Sequence, residues 1–223
     1  MEILKIENYR LFRQTCFDLD NEKVDSYELL MRKQDGYRWL APIDFNMLTP
    51  QAFSEIVTDA LLHLPSNSRI MINLDHDQFV DHAMLDALIA IHKQMPDYTL
   101  IVELTERDNA KTIMNVELLT SAMYLTDKGL LLCLDDVGSG VNSFDTLKPL
   151  LPYVVELKFA LQNFEPEISV AYNKLAFWNQ VANYLDKKFV LEGIETGEDL
   201  VIAQQLDIEY GQGFYFDRPQ QFY

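Results

Sequence analysis

The sequence predicts an α/β barrel, and three observations lead to that prediction. Apolar segments of strand length alternate with amphipathic segments of helical length along most of the chain, an order typical of βα units and a parallel sheet. Six or more such units indicate a closed barrel, for which 223 residues are a suitable length. The segment at residues 130–135 is apolar on both faces, as expected for a strand covered by helices. We therefore expect residues 1–223 to form a single domain.

The elements follow in order along the chain. The predicted strands are apolar runs bounded by turn residues, and they cover residues 12–18, 24–32, 69–74, 98–104, 130–135, 153–158 and 188–193. The predicted helices have apolar residues at helical spacing, and they cover residues 50–64, 80–95, 109–127, 143–150, 168–186 and 197–206. A polar turn separates the first two strands and indicates a hairpin. Thr49 and Pro50 supply an N-cap and a first-turn proline for the first helix, and Pro65 ends it.

Charge and composition restrict the function classes. Thirty-five acidic and 18 basic residues give a net charge of −17, which argues against binding to a nucleic-acid polymer or an anionic membrane. No segment approaches the roughly 20 apolar residues needed to span a bilayer, and the amino terminus lacks the apolar core of a signal peptide. We therefore expect a cytoplasmic protein, in which Cys16 and Cys133 are reduced core residues.

Five successive predicted strands end in a side chain that can bind a metal ion or a phosphate. These residues are Asn73, Glu103, Asp135 with Asp136, Lys158 and Glu192. In an α/β barrel the carboxyl ends of the strands meet at one rim, where active sites are built. Glu28 lies inside the second strand of the hairpin and can join them. Taken singly, each residue is more simply a polar strand end that faces water, and Asp135-Asp136 fits a solvated turn equally well. The repetition favours a functional site, since unpaired buried carboxylates are costly.

The predicted cluster offers oxygen atoms alone as ligands. Mg²⁺ and Mn²⁺ prefer such ligands, whereas structural zinc sites use cysteine or histidine. The five carboxylates need two divalent cations to approach neutrality, and Asp135 is the natural bridge between them. Two such ions can activate water and hold a phosphodiester oxygen. Lys158 can steady the nucleophile or the developing charge.

With these residues assembled, the chain resembles the EAL-domain family of cyclic di-GMP phosphodiesterases. The resemblance extends from Gln14 to Pro219, and its segments follow the family's order. They are Gln14, Glu28-Leu29-Leu30 with Arg32, Ile72-Asn73-Leu74, Glu103-Leu104-Thr105-Glu106, Asp135-Asp136-Val137-Gly138-Ser139-Gly140, Lys158, Glu192-Gly193-Ile194-Glu195 and Gln212-Gly213-Phe214. Together they are highly specific, although no single segment is.

The resemblance implies a TIM-like barrel whose first strand is antiparallel to the others, and hydrolysis of cyclic di-GMP to linear pGpG with two Mg²⁺ or Mn²⁺ ions. The implied metal ligands are Glu28, Asn73, Glu103, Asp135, Asp136 and Glu192. The implied catalytic residues are Lys158, which holds the attacking water, with Glu28 and Glu192. The implied substrate contacts are Gln14, Arg32 and Gln212, and Glu106 is expected to brace the loop after Asp136. The loop at residues 137–144 is similar to one that the family uses in metal retention and dimerisation, so a homodimer is possible.

The chain departs from the family pattern at four positions. Thr15, Leu29 and Val137 are small or apolar replacements of a proline, an alanine and a phenylalanine. Ala160 replaces an aspartate two residues after Lys158, which removes an acceptor near the expected metals. One alternative is therefore a degenerate module that binds cyclic di-GMP or a protein partner without turnover. Another is a barrel of the enolase kind, which also places acidic ligands and a lysine at strand ends.

Overall fold

The computed structural model describes residues 6–42, 45, 48–105, 114–140, 142–164 and 168–222. Its ten described strands are β1 (Tyr9–Asp18), β2 (Lys23–Asp35), β3 (Arg38–Leu40), β4 (Arg69–Leu74), β5 (Thr99–Leu104), β6 (Leu131–Leu134), β7 (Glu156–Ala160), β8 (Lys188–Glu192), β9 (Tyr210–Gly211) and β10 (Gln220–Gln221). Its described α-helices are α1 (Pro50–Leu61), α2 (His76–Phe79), α3 (His82–Gln94), α4 (Asn115–Asp127), α5 (Phe144–Leu147), α6 (Ile168–Tyr184) and α7 (Gly197–Gln205). Short 3₁₀ helices cover Ile6–Asn8, Leu151–Tyr153 and Leu161–Phe164.

Eight of these strands close into a barrel. The ring runs β1–β2–β4–β5–β6–β7–β8–β9 and returns to β1, while β3 and β10 pair on its outside. β1 is antiparallel to both of its neighbours, with Gln14 opposite Glu28 in β2 and Phe17 opposite Gly211 in β9. From β2 to β9 all neighbouring pairs in the ring are parallel. The predicted fold class, including the antiparallel first strand, is confirmed.

The element boundaries differ from the sequence predictions in two informative places. The strand expected from Tyr153 begins at Glu156, because Leu151–Tyr153 form a 3₁₀ turn that contains Pro152. The helix expected over residues 80–95 is α3, which begins at His82 because the Asp81 side chain caps it at the amide of Ala83, and the short helix α2 precedes it outside the predicted range. Among the described residues, every helix is too short or too polar to cross a lipid bilayer.

The barrel interior is layered along the strands. Met71, Ile101 and Cys133, from β4, β5 and β6, form a small buried apolar cluster separate from the larger core between strands and helices. Cys133 and Cys16 are buried free thiols, as predicted. Because side chains two residues apart share one face of a strand, Arg69 lies on one side of this apolar layer and Asn73 on the other.

A group of charged residues, here called the basal ion cluster, closes the amino-terminal end of the barrel. It consists of Asp25, Arg69, Glu156 and Lys188. Glu156 is fully buried, with Oε2 3.0 Å from Arg69 Nη2 and 3.7 Å from Lys188 Nζ. Lys188 also pairs with Asp25. Two acidic and two basic groups balance here, which is consistent with a structural role for this end of the barrel.

Replacement of Glu156 tests that role. The substitution Glu156→Leu leaves Arg69 and Lys188 with one carboxylate instead of two, and loss of one partner of a buried ion pair costs about 3 kcal/mol at the lower end of the measured range. We expect the melting temperature to fall by roughly 6–12 °C, since 1 kcal/mol corresponds to about 2–4 °C at this chain length. Differential scanning fluorimetry measures the change, with the exposed Glu198→Gln as control. An unchanged melting temperature would contradict a structural role for the cluster.

Candidate metal centre

Two buried glutamates and one partly buried glutamate surround a buried lysine at the carboxyl-terminal mouth of the barrel. The Nζ atom of Lys158 lies 3.2 Å from Glu28 Oε2, 2.8 Å from Glu103 Oε1 and 2.7 Å from Glu192 Oε1. The side chains of Lys158 and Glu103 are completely buried. We call Glu28, Glu103 and Glu192 the inner trio, whose oxygen atoms come within 4.8 Å of one another.

Strand register brings these side chains together. Asn73 and Glu103 are direct neighbours in β4 and β5, two residues beyond the register pair Met71 and Ile101 of the apolar layer. Their side chains therefore emerge on the same face, one step closer to the mouth. Lys158 occupies the equivalent face of β7, two residues beyond Glu156 of the basal ion cluster.

Glu28 reaches the mouth from the middle of β2 and is held by three donors. Asn73 Nδ2 donates to Glu28 Oε1 at 2.8 Å, and Gln212 Nε2 donates to Oε2 at 2.6 Å. Lys158 donates to the same Oε2 at 3.2 Å. Residues from β2, β4, β7 and the segment after β9 thus meet at one carboxylate, which links both sides of the barrel.

A second group of carboxylates, here called the outer trio, combines two residues of the loop after β6 with the last residue of β8. It consists of Asp135, Asp136 and Glu192, whose oxygen atoms also come within 4.8 Å of one another. Asp136 adopts a φ of 51°, an unusual backbone conformation for a residue other than glycine. Its amide donates to Asp135 Oδ1 at 2.7 Å, and Asn163 Nδ2 donates to Asp136 Oδ1 at 2.6 Å. Glu192 belongs to both trios and joins them.

Burial and like charges shift the acid–base equilibria of the mouth. Burial raises the pKa of Glu103 well above its usual range, and Glu28 and Glu192 add to the rise while Lys158 opposes it. Burial and the charges of Glu192 and Glu103 raise the pKa of Asp135 in the same way. Burial disfavours the charged form of Lys158, but the surrounding carboxylates outweigh it and raise the pKa of Lys158. The lysine is therefore a cation at neutral pH.

Glu28 and Glu192 respond differently to similar surroundings. The pKa of Glu28 is lowered, because Lys158 and the hydrogen bonds from Asn73 and Gln212 outweigh the effect of burial. The pKa of Glu192 is raised by burial, with Glu28 adding to the rise and Lys158 opposing it. Without a further cation, the mouth can relieve its excess negative charge only by holding protons on some of its carboxylates.

The predicted substrate contacts lie beside the inner trio. A cavity of about 440 Å³ is lined by Gln14, Arg32 and Gln212 together with Glu28 and Glu192. All residues of the predicted site that the structure describes thus lie at the mouth or in this cavity. Glu106, the predicted brace of the loop after Asp136, falls outside the described residues.

The donor set fits divalent cations. The five carboxylates of the two trios and the ammonium of Lys158 carry a formal charge of −4 when all are ionised, which equals the charge of two divalent cations with opposite sign. Glu103 Oε2 and Gln212 Oε1 are buried and lack a hydrogen-bond partner among the described residues. A buried acceptor without a hydrogen-bond partner lowers the stability of the fold. Both atoms lie where the oxygen ligands of the mouth converge, so a bound cation could supply the missing partner.

Sequence reasoning missed Asn163 and Gln162. Both lie in the 3₁₀ helix after β7 rather than at a strand end. Asn163 contacts Asp136, and Gln162 lines the cavity next to Gly193. Gly193 has a φ of 73°, and a β-carbon there would lie 1.9 Å from Gln162 Oε1. No periodic pattern marks such turn residues, so only the folded chain identifies them.

Comparison with known proteins shows that a model of the EAL domain matches residues 3–219. The chain is 28% identical to the probable cyclic di-GMP phosphodiesterase PdeG of Escherichia coli K12 over 163 residues. This match covers 70% of the chain and 31% of PdeG. The chain spans between 31% and 41% of the length of the curated relatives that it matches. This family match decides against the enolase-type alternative.

Solved structures share the fold. The Bacillus subtilis YkuI protein, in complex with cyclic di-GMP and calcium, gives a TM-score of 0.78 at 20% identity, covering 97% of this chain and 57% of the other. The Klebsiella pneumoniae BlrP1 complex with manganese and the same nucleotide gives a TM-score of 0.78 at 20% identity, covering 96% of this chain and 57% of the other.

Crowding of the carboxylates predicts a pH-dependent effect of Glu103→Gln. The folded-state pKa of Glu103 is raised, so Glu103 favours the folded state most at pH values below the ordinary carboxyl pKa, where it is protonated in both states. That contribution to stability is lost as the pH rises from the ordinary pKa toward the raised one. In EDTA, Glu103→Gln should therefore raise the melting temperature more at pH 8 than at pH 5. With saturating Mn²⁺ at pH 8, we expect the wild-type protein to have the higher melting temperature of the two. Equal effects of the substitution at both pH values would contradict the assignment of excess charge to Glu103.

Proposed function

Because the chain belongs to the EAL domain family, we propose that it is a metal-dependent phosphodiesterase that hydrolyses cyclic di-GMP to linear pGpG. The observation that carries the proposal is the pair of carboxylate trios joined by Glu192 beside the cavity that contains Gln14 and Arg32. Relatives named as probable cyclic di-GMP phosphodiesterases support the substrate. Complexes of similar folds with this nucleotide and calcium or manganese support a divalent cation.

The proposed ligands of two Mg²⁺ or Mn²⁺ ions are the oxygen-bearing side chains of the mouth. They are Glu28, Asn73, Glu103, Asp135, Asp136 and Glu192. Such ions supply Lewis acidity at the phosphodiester and lower the pKa of water. The donor bonds from Asn73 and Gln212 to Glu28 fix the orientation of that carboxylate before a cation arrives, as supporting hydrogen bonds commonly do around metal sites.

In this proposal Lys158 acts as a hydrogen-bond donor and as a positive charge. Its raised pKa keeps the ammonium protonated at neutral pH, so it cannot serve as a general base. An ammonium can instead hold the attacking water through that water's oxygen and stabilise the negative charge that develops on phosphate. Glu28 and Glu192 fix the position of Lys158 through their contacts with Nζ at 3.2 and 2.7 Å.

The cavity next to the inner trio provides the proposed nucleotide contacts. Gln14 and Gln212 present amide groups, and Arg32 presents a guanidinium group that suits a phosphate. This positive charge gives an acidic protein a local place for an anionic ligand. The volume of about 440 Å³ lies within the range of roughly 300–1,000 Å³ that is usual for small-molecule sites.

Ala160 is compatible with turnover on grounds of charge. It is fully buried at the end of β7, in register with Glu192 of β8. An additional carboxylate at this position would change the formal charge of the mouth from −4 to −5, whereas two divalent cations carry +4. With alanine at position 160, the two trios and Lys158, all of them described residues, carry a charge that two divalent cations neutralise.

Direct assay of hydrolysis tests the proposed function. We expect purified protein to convert cyclic di-GMP to pGpG in the presence of Mg²⁺ or Mn²⁺ but not in EDTA, as followed by chromatography. Glu28→Gln should reduce the rate at least about 100-fold, the cost typical of removing a major electrostatic group from an active site. Glu156→Gln at the opposite end of the barrel is the matched control and should retain activity at 20 °C. Absence of pGpG at high protein concentration would reject catalysis.

The absence of an acidic side chain at Ala160 also favours a second candidate function, a module that binds cyclic di-GMP without turnover. Calorimetry separates the two functions. Binding of the nucleotide in Ca²⁺ or Mn²⁺ with no pGpG after prolonged incubation would support the binding module. Binding that is followed by pGpG release supports the enzyme.

A further inference from the structure

Asn163 contacts the outer trio, although it does not lie at the end of a strand. It lies in the short 3₁₀ helix Leu161–Phe164, which directly follows β7. Its Nδ2 atom donates to Asp136 Oδ1 at 2.6 Å and lies 3.5 Å from Ser139 Oγ. The side chain thus spans the gap between the turn after β7 and the loop after β6.

The orientation of the Asp136 carboxylate is less constrained by its backbone than that of a strand residue. Asp136 lies in a loop, its φ of 51° is uncommon for a non-glycine residue, and two carboxylates lie close to its own. Repulsion from Asp135 and Glu192 favours rotation of the Asp136 carboxylate away from the outer trio. A donor held at 2.6 Å opposes that rotation.

The chemical nature of the donor matters as well. Lys158, the cation of the inner trio, offsets part of the negative charge that attracts a metal ion. Asn163 is a neutral amide, so it orients a carboxylate without reducing the attraction of the outer trio for a cation. This difference suits a residue that supports a metal ligand.

We propose that Asn163 is a positioning residue for the cation site of the outer trio, which it serves by holding the carboxylate of Asp136 toward Asp135 and Glu192. The inference rests on the proposed metal-dependent function. It assigns to the turn after β7 a role at the metal centre, next to the strand end where Ala160 offers no polar group.

Lys174 allows this role to be separated from general support of the loop. Its Nζ atom donates to the carbonyl oxygen of Gly138 at 2.9 Å, so it anchors the same loop, and it contacts no carboxylate of the residues that the structure describes. A change of Lys174 therefore loosens the loop, whereas a change of Asn163 also releases Asp136. Both side chains come from the segments that follow β7.

The experiment is a titration of the full chain with Mn²⁺ at pH 7.5, without nucleotide, read by calorimetry and by electron paramagnetic resonance of the free ion. The proteins are the wild type, Asn163→Leu and Lys174→Met, each checked for folding by circular dichroism. We expect two ions per wild-type chain, and a 10- to 100-fold weaker affinity for one of them in Asn163→Leu, the usual effect of losing a supporting contact. The other ion should keep its affinity within about twofold, and Lys174→Met should change neither affinity by more than about threefold.

Three results would overturn the inference. They are unchanged affinities in Asn163→Leu, equal weakening of both ions in that variant, and an equal loss in Lys174→Met. Failure of the proposed function itself has a different signature, because the wild-type protein would then bind no Mn²⁺ or would bind it without producing pGpG from cyclic di-GMP.

Discussion

Among the described residues, five carboxylates and the ammonium group of Lys158 meet at the mouth of this barrel, and the function proposed for the chain follows from that imbalance. Lys158 contacts the inner trio at 2.7 to 3.2 Å, and through Glu192 it also contacts one member of the outer trio. At an effective dielectric constant near 20, two like charges 4 Å apart repel by about 4 kcal/mol. Protons or divalent cations are needed to offset such repulsion, and oxygen ligands arranged in two connected trios favour the cations.

The two ends of the barrel show how the same fold separates stability from function. At the amino-terminal end, Asp25 and Glu156 face Arg69 and Lys188, and the charges balance without an external ion. At the mouth, the two trios and Lys158 carry a formal charge of −4, and Glu103 has a buried oxygen without a hydrogen-bond partner in the described part of the chain. An apolar layer of Met71, Ile101 and Cys133 lies between the two ends. Substitutions at one end should therefore affect mainly stability, and substitutions at the other mainly chemistry.

Much of this arrangement could be predicted from the sequence, because strand periodicity and strand ends are local patterns. Asn73, Glu103 and Glu192 end apolar runs, so the convergence of parallel strands places them correctly. The start of β7 and the position of Asn163 could not be predicted, since a 3₁₀ turn has no lasting period. The central place of Lys158 depends on packing from four strands. The possible homodimer, the cytoplasmic location and the preferred ion stay predictions, as does the role of Glu106.

Anomalous X-ray diffraction from crystals soaked in Mn²⁺ tests whether divalent cations balance the carboxylates of the mouth, because it locates the ions without relying on turnover. We expect two anomalous peaks at the mouth of each barrel, one beside the inner trio and one beside the outer trio, with Glu192 between them. Crystals that show no anomalous peak at the mouth, with the carboxylates of both trios in their present positions, would contradict this expectation.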